Sequence, residues 1–290
     1  MSTLLSQIEN VYPTLTKSHK RIAEFILNNY EKAAYYTAAK LGTETDISES
    51  TVVRFATYMG FEGYPEFQMA LQEDIKGKLT TLQRMEVSSL KLIDEDVLEK
   101  VMKNDRSSIK ETLENVSRED FNNAADAINA ADKIYILGVR SSAPLANFIY
   151  FYLKMVYDNV VLITSASSSE EFEQIFKIRE NDVCLAISFP RYSKQVAKTL
   201  EYAKEKGAKI IAITDSNTSP IAPLANFVLT AKSNMVSFMD SLVAPLSLIN
   251  ALILAATLEK RDEVLDTFAE LETVWDKYDV YEKSGEMINE

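Results

Sequence analysis

The sequence predicts a small all-helical domain followed by an α/β domain built on a doubly wound parallel sheet. Helical spacing of apolar residues dominates the first 77 residues. From residue 120 onwards, short apolar runs alternate with helical segments, which is typical of a parallel sheet covered on both faces. Residues 78–119 lack strand character, and we expect them to form a helical linker.

The composition is that of a globular chain with room for two domains. The 290 residues are 47% hydrophobic and 26% charged. No apolar run approaches the roughly 20 residues that span a bilayer. The N-terminus lacks the basic, then apolar, start of a secretory signal. We therefore expect a cytoplasmic protein with no membrane partner.

The chain has one cysteine, Cys184, and one histidine, His19. They lie far apart in the sequence, so neither a zinc site nor a Ser/His or Cys/His nucleophile pair is expected. We expect no metal, no cofactor and no enzymatic activity. The net charge of −12 is unevenly distributed: residues 1–60 are neutral, and all the excess acid lies beyond them. A neutral head can approach DNA more readily than the acidic body.

The head has the proportions of a helix-turn-helix. The spacing predicts helices over 15–30, 37–43, 49–59 and 64–76, with Thr16 as the N-cap of the first. Within residues 37–55, we expect five apolar side chains to hold two short helices at an angle. They are Ala39, Leu41, Ile47, Val52 and Phe55.

The third helix of the head is the candidate recognition helix. We expect Ser48 to cap it and its first turn to face the DNA major groove, with Asp46 in the left-handed turn before it. The candidate DNA contacts are Lys17, Lys20, Ser48, Glu49, Ser50, Thr51 and Arg54. A plain three-helix bundle with charged outer faces is the alternative.

Two Ser-rich turns follow apolar strands of the body, at residues 138–142 and 188–193. Small hydroxyl residues before a helix N-terminus favour phosphate, because unpaired amides and the helix dipole both stabilise an anion. The predicted strands are 133–137, 160–163, 183–187, 209–213 and 227–230. The predicted helices are 120–131, 142–157, 168–178, 193–206, 241–258 and 258–277.

Residues 1–77 resemble the N-terminal domain of the RpiR family of bacterial transcriptional regulators of sugar metabolism. The resemblance rests on LTKS at 15–18, RIAEFI at 21–26, ISESTVVRF at 47–55 and MGFEGYPEF at 59–67. Residues 120–263 resemble the SIS (sugar isomerase) domain that these proteins carry. That resemblance rests on GVRSS at 138–142, AIS at 186–188 and GAKIIAIT at 207–214. Residues 264–290 would add a C-terminal helix and tail.

The SIS resemblance implies that Ser141, Ser142, Ser188 and Ser193 hold the phosphate of a phosphosugar. The chain departs from the family pattern at Arg140, where Gly is common, and in the second turn, which lacks Gly and contains Pro190. Bidentate bonds from Arg140 and Arg191 would compensate. In that case either the ligand is more anionic than a hexose phosphate or the pocket has diverged from that of the family. Alternatively, each arginine pairs with an acid such as Glu170, Glu171 or Asp215, and the serines are simple helix caps.

Two further features bear on function. Glu170, Glu171 and Glu173 are the carboxylates that could serve as a base for sugar isomerisation, although a solvated helix face is the favoured interpretation. Aromatic residues crowd the helix after the first Ser-rich turn and indicate burial on two sides, with a dimer interface on one of them. They are Phe148, Tyr150, Phe151, Tyr152 and Tyr157.

The leading hypothesis is a ligand-responsive regulator, a repressor, that binds a double-stranded DNA operator as a homodimer or homotetramer. A phosphosugar in the SIS domain would favour one arrangement of the dimer. The alternative is a phosphosugar isomerase or lyase with an accessory helical domain. A third possibility is a regulator whose SIS domain only dimerises.

Overall fold

The computed structural model describes residues 3–75, 77, 79–91, 96–164, 168–235, 239–258 and 260–281. The chain forms two compact units. The first unit contains residues 1–104 and 234–241, and the second contains residues 105–233 and 242–290.

In the part of it that the structure describes, the first unit is helical apart from an isolated antiparallel bridge between Met235 and Asp240. The predicted helix over 15–30 is observed as Lys17–Asn28, and the hydroxyl of Thr16 caps it by accepting from the His19 N–H. The first helix of the unit was not predicted. The hydroxyl of Thr3 caps it by accepting from the Ser6 N–H. The helices are α1 (Leu4–Val11), α2 (Lys17–Asn28), α3 (Tyr30–Ala33), α4 (Ala38–Thr45), α5 (Glu49–Tyr58), α6 (Tyr64–Ile75) and α7 (Thr81–Lys91).

The core of the first unit is built from apolar side chains one turn apart on successive helices. Ile22 and Ile26 of α2 are fully buried, as is Leu41 of α4. Phe55 of α5 meets Phe67 of α6 edge to face, with ring centroids 5.8 Å apart. Each such side chain stabilises the fold by about 1.5–3 kcal/mol through apolar burial.

A buried ion pair lies within the first unit. Nη1 of Arg84, on α7, donates to Oδ2 of Asp240 at 2.8 Å, and the two side chains are only 3% and 13% exposed. Tyr35 lies close enough to feel both charges, and burial raises the pKa of its hydroxyl to about 12. The pair ties residues 156 positions apart in the sequence into one helical unit.

The second unit contains a five-stranded parallel sheet. Its strands are β1 (Ile134–Gly138), β2 (Val160–Ile163), β3 (Val183–Ile187), β4 (Lys209–Thr214) and β5 (Phe227–Thr230). Their spatial order is β2-β1-β3-β4-β5, so the direction of winding reverses between β1 and β3. The remaining helices are α8 (Val97–Asn115), α9 (Arg118–Asn129), α10 (Ala143–Leu153), α11 (Ser168–Ile175), α12 (Lys194–Glu205), α13 (Val243–Leu258) and α14 (Arg261–Lys277).

Both faces of the sheet are covered by helices. Ile134 and Ile136 of β1 belong to an apolar cluster with α9, α10 and α13. Tyr135 and Leu137, which point the opposite way, belong to a second cluster with α11 and α12. This two-sided burial explains why the strands read as continuous apolar runs, and it confirms the doubly wound class.

The predicted strands agree with the observed ones to within one residue at each end. Helix ends shift by up to four residues; the helix predicted over 142–157 ends at Leu153. Parts of the predicted segments lie outside the described residues: position 76, positions 92–95, position 259 and the tail beyond 281. In the described chain, no helix alone has the length and apolarity to cross a membrane. The bent pair α13 and α14 meets those criteria by length and composition only.

Removing one partner of the buried ion pair should destabilise the protein. We expect Asp240→Ala to lower the free energy of unfolding by about 3–5 kcal/mol, because it removes the counter-charge that Asp240 supplies to the buried Arg84. The double variant Arg84→Met, Asp240→Leu removes both charges and should lose much less. Chemical denaturation of the full chain measures both. Equal losses in the two variants would show that packing, and not charge pairing, matters there.

Candidate DNA-binding and ligand-binding sites

Helices α4 and α5 form the predicted helix-turn-helix. The hydroxyl of Thr37 caps α4 by accepting from the Lys40 N–H at 3.1 Å. Asp46 takes the left-handed conformation with φ of +52°, as predicted for this turn. Gly42 allows the close approach that follows, since a Cβ there would lie 2.6 Å from the carbonyl oxygen of Ile47. Gly42 is a functional position that apolar spacing does not indicate, although a Gly inside a short helix is a signal of such contact.

The first turn of α5 presents polar side chains to solvent. Ser48, Glu49, Ser50 and Arg54 are exposed, and Thr51 is half-buried. The Arg54 guanidinium donates to the Thr51 hydroxyl at 2.9 Å, which holds it along the exposed face. This face therefore offers the hydroxyl and guanidinium groups with which helix-turn-helix proteins contact DNA.

Ser48 occupies the N-cap position, but the predicted side-chain cap is wrong. Its hydroxyl instead lies 3.1 Å from the Ser50 hydroxyl and 2.9 Å from the Thr51 hydroxyl. The predicted burial of Ala39 is also wrong: Ala39 is exposed, and Ala38 fills that place in the core. Ala38 lies three residues before the buried Leu41 and therefore on the same face of α4, whereas Ala39 is turned away from that face.

The other candidate DNA contacts, and the basic Arg21, belong to α2. Lys17 is exposed, and Nζ of Lys20 lies 5.4 Å from the ring centroid of Tyr12. Arg21 forms an exposed ion pair with Asp46 of the turn at 3.2 Å. Between α2 and α5, the His19 ring meets Phe55 edge to face at 5.4 Å. Burial, followed by the positive charge of Arg54, lowers the pKa of His19.

The two Ser-rich turns leave the sheet side by side. Gly138 at the end of β1 pairs with Ile187 at the end of β3, which in turn pairs with Ile213 of β4. Residues 140–142 and 188–193 therefore follow adjacent strand ends, at the point where the strand order reverses. In open α/β sheets this crevice is where ligands bind.

The side chains of these turns differ in accessibility. Ser142 and Ser188 are 4% and 3% exposed, Ser193 is half-buried, and Arg140, Ser141 and Arg191 are exposed. Ser142 and Ser193 occupy the N-cap positions of α10 and α12, yet neither hydroxyl makes a capping hydrogen bond. The interpretation of these serines as simple side-chain caps is therefore wrong for both. Their hydroxyls stand at the N-termini of helices of 11 and 12 residues.

Both arginines of the turns adopt the left-handed backbone conformation. The φ angles are +55° for Arg140 and +65° for Arg191. Glycine adopts this conformation without strain, whereas a residue with a Cβ does so at a cost of about 1–2 kcal/mol. The turns thus keep a glycine-type backbone while carrying a positively charged side chain.

The acids near the turns have partners of their own. Asp215, at the end of β4, accepts from the Tyr192 hydroxyl at 2.7 Å and lies 3.3 Å from the Thr214 hydroxyl. The carboxylate of Glu171 accepts from the Thr199 hydroxyl of α12. Asp215 and Glu171 thus each have a hydroxyl partner, and the alternative of arginine–acid pairing at the turns stays a prediction.

The prediction that the α11 carboxylates form a solvated face is wrong for Glu171. Glu170 and Glu173 are exposed, but Glu171 is fully buried where α11 packs on α12. Its second carboxylate oxygen has no hydrogen-bond partner among the described residues. Glu171 stands between the exposed Glu170 and Glu173 in a charged stretch, so the sequence gives no sign that it is buried. Its burial depends on the packing of α12 against α11.

Cys184 is the second residue of β3 and is fully buried. Burial, followed by the nearby Glu171 charge, raises the pKa of its thiol to about 12. Such a thiol is neither a nucleophile nor a metal ligand at neutral pH. Within the ranges that the structure describes, no three His, Cys, Asp or Glu side chains are grouped to hold a metal ion.

An aromatic groove lies elsewhere in the second unit, between α10 and α14. Its volume is about 1110 Å³, and Phe148, Phe151, Tyr152, Leu271 and Trp275 are among the residues that line it. Phe151 and Tyr152 are 56% and 41% exposed. The predicted burial of this helix on two sides is thus incomplete within one chain, because its outer aromatic residues face the groove.

Comparison with known proteins agrees with this architecture. Residues 2–78 match the helix-turn-helix domain of the rpiR family, and residues 127–255 match the SIS domain. An uncharacterized HTH-type transcriptional regulator of Clostridium perfringens is 28% identical over 234 residues, covering 79% of this chain and 82% of that protein.

Two solved structures share the fold. The sugar isomerase domain of an RpiR transcription factor from Sphaerobacter thermophilus is 26% identical, with a TM-score of 0.59 over 62% of this chain and 99% of that one. The Vibrio vulnificus NanR protein, complexed with ManNAc-6P, is 21% identical, with a TM-score of 0.58 over 95% and 99% of the two chains.

The fold and the matches define a helix-turn-helix transcriptional regulator with a C-terminal SIS domain. More specifically, the chain belongs to the RpiR family.

The buried thiol gives a direct test of the packing around β3. We expect Cys184 to resist a disulfide-exchange reagent in the native protein at pH 8, because a thiol with a pKa of about 12 is almost entirely protonated there. Full labelling should appear only after unfolding in guanidinium. The absorbance of the thiolate that the reagent releases measures the labelling. Rapid labelling of the native protein would contradict the burial of this residue.

Proposed function

We propose that this protein is a repressor of sugar-metabolism genes that binds an operator through α5 and a phosphosugar-like anion at the two Ser-rich turns, without transforming it. The observation that carries the proposal is the register of β1 with β3. It brings residues 140–142 and 188–193 together at the carboxyl ends of two neighbouring strands, in a chain whose α5 also exposes a polar first turn.

The contacts of α5 support operator binding. The exposed Ser50 and Arg54 can reach base edges, while Lys17 and Lys20 on α2 can bind phosphates. A homodimer or homotetramer would present such helices in symmetric pairs to a palindromic site. The exposed aromatic groove of α10 and α14 is the surface that we assign to subunit contact.

The anion site is supported by chemistry and by analogy. The hydroxyls of Ser142 and Ser193 stand at helix N-termini without capping bonds, where backbone N–H groups and the helix dipole favour a phosphate. The structurally similar NanR protein was solved with a phosphorylated sugar. A phosphosugar is therefore the class of ligand that this site suits best.

A purely sensory role is supported by the surroundings of the candidate bases. The only histidine lies in the first unit, Cys184 is inert, and Glu171 is buried against Thr199. The competing isomerase or lyase function would depend on Glu170 or Glu173, which are exposed on α11. Turnover of any sugar phosphate that Glu170→Ala abolishes would favour the enzyme.

Arg54→Ala should weaken operator binding by about tenfold or more, because a good arginine contact to a base is worth about 1–3 kcal/mol. Fluorescence anisotropy with DNA from upstream of the gene, at moderate salt, measures the change. Arg118→Ala, at another exposed arginine, should leave the affinity unaltered. Sequence-independent binding by the wild type, or unchanged binding by Arg54→Ala, would count against operator recognition by α5.

The Ser142→Ala and Ser188→Ala variants should each lose most of the thermal stabilisation that a bound sugar phosphate gives. A ligand at 100 times its Kd stabilises the folded state by about 2.7 kcal/mol. The rise in melting temperature with glucose 6-phosphate or ManNAc-6P measures this stabilisation. Ser107→Ala, on the exposed face of α8, is the control and should keep the wild-type rise. If neither sugar phosphate stabilises the wild type, the result would favour a SIS domain that serves only for dimerisation.

A further inference from the structure

We propose that His19 is a further contact of the first unit with the operator, at a backbone phosphate beside the proposed recognition helix α5, and that operator binding tightens when its imidazole is protonated. The inference rests on the proposed function, because it takes α5 to lie in the major groove of the operator. It concerns the only histidine of the chain, which α2 carries between the candidate phosphate contacts Lys17 and Lys20.

The imidazole of His19 lies against α5. Its ring meets Phe55 edge to face, with ring centroids 5.4 Å apart, and Tyr58 in a tilted arrangement at 5.5 Å. Phe55 is buried, whereas Tyr58 is 51% exposed, and the His19 side chain is half-buried. The Tyr58 hydroxyl lies 3.2 Å from that of Thr14, which anchors the exposed ring. The imidazole is thus fixed at the edge of the core, with part of its surface open to a partner.

His19 adjoins the face of α5 that carries candidate DNA contacts. Thr51, Arg54 and Tyr58 are three and four residues apart, so they form one stripe along the helix. The Arg54 guanidinium donates to the Thr51 hydroxyl at 2.9 Å, and its charge acts on the imidazole. A helix in the major groove is flanked by the two sugar-phosphate backbones, and neighbouring helices contact them. On α2, His19 is therefore placed for a phosphate rather than for a base.

Within the described chain, the imidazole is not committed to a polar partner. Its contacts with other described side chains are the two aromatic rings, with no hydrogen bond or ion pair. Thr16 caps α2 by accepting from the His19 N–H, and at this position of a helix Glu or Gln would complete a capping box. In place of a residue that stabilises the helix, α2 thus carries one that can donate to an external anion.

The charges around His19 disfavour its cation in the free protein. Arg54 acts on it from α5, where Tyr58 is the ionisable residue in contact with the ring. The charged residues within three positions of it on α2 are all basic: Lys17, Lys20 and Arg21. The last of these is paired with Asp46. Burial, followed by the charge of Arg54, lowers the pKa of the imidazole, and a phosphate would supply the counter-charge that restores it.

Protonation and operator binding are therefore coupled. A phosphate against the imidazole raises the pKa of His19 in the complex, so the protonated protein binds more tightly than the neutral one. The gain is about tenfold for each unit by which the pKa rises. Affinity is highest below the pKa of the free protein, which lies under the ordinary 6.5, and it falls as the pH rises through the pKa of the complex.

Fluorescence anisotropy of the full chain with DNA from upstream of the gene, at constant ionic strength, tests this coupling. We expect the wild-type affinity to rise about fivefold or more between pH 8.0 and pH 5.5. His19→Gln keeps an amide donor but cannot be protonated, so its affinity should not depend on pH. Lys20→Gln removes a neighbouring charge that does not titrate in this range and should keep the wild-type pH dependence.

Two further measurements identify the contact. One added phosphate contact releases about 0.9 counterion, so the plot of log affinity against log salt should be steeper by about 0.9 at pH 5.5 than at pH 8.0. His19→Gln should give equal slopes. NMR of the full chain, labelled with ¹³C in histidine, follows the single imidazole without any variant. We expect its pKa to lie below 6.5 in the free protein and to rise when the DNA is added.

Three results would overturn the inference while leaving operator binding by α5 in place. The first is an affinity independent of pH, or a His19 pKa that the DNA does not change. The second is a pH dependence that Lys20→Gln abolishes, which would assign it to the basic surface as a whole. The third is an equal salt slope at the two pH values, which would exclude a phosphate contact. Absence of sequence-selective binding at every pH would instead overturn the proposed function.

Discussion

The parallel pairing of β1 with β3 is the constraint on which the proposed ligand site depends. Gly138 ends β1 opposite Ile187, and a Cβ on Gly138 would lie 2.9 Å from the carbonyl oxygen of Ser142. The absence of a side chain therefore lets the first turn fold back tightly over the strand end. The reversal of strand order at this point leaves room beside the turn, and the helices that follow direct their N-termini toward it.

The same principle, close approach through a missing side chain, governs the DNA-binding head. Gly42 allows α4 to contact the chain that leads into α5, and Asp46 completes the turn in the left-handed conformation. The exposed first turn of α5 is thus held by a tight backbone contact and by the buried Val52 and Phe55. The exposed Glu49 and Ser50 of that turn are therefore left to face solvent.

Buried charge marks the places where packing overrides sequence pattern. Arg84 and Asp240 come from segments that no local pattern connects, and they are buried because each supplies the other's counter-charge. Glu171 is buried because α12 covers it and Thr199 provides one hydrogen bond. Such contacts between distant segments are invisible to periodicity, which reports only which residues share a face.

The sequence alone determined the order and type of most elements, the doubly wound sheet and the polar face of α5. These features follow from apolar spacing and turn residues, which act over a few positions. The tertiary structure decided that Ser142 and Ser193 stand at helix N-termini without capping them, that Glu171 is buried, and that Arg140 and Arg191 share a left-handed backbone. Each of these depends on the register of neighbouring strands or on the packing of one helix against another. Those contacts join residues far apart in the chain, so no local pattern could specify them.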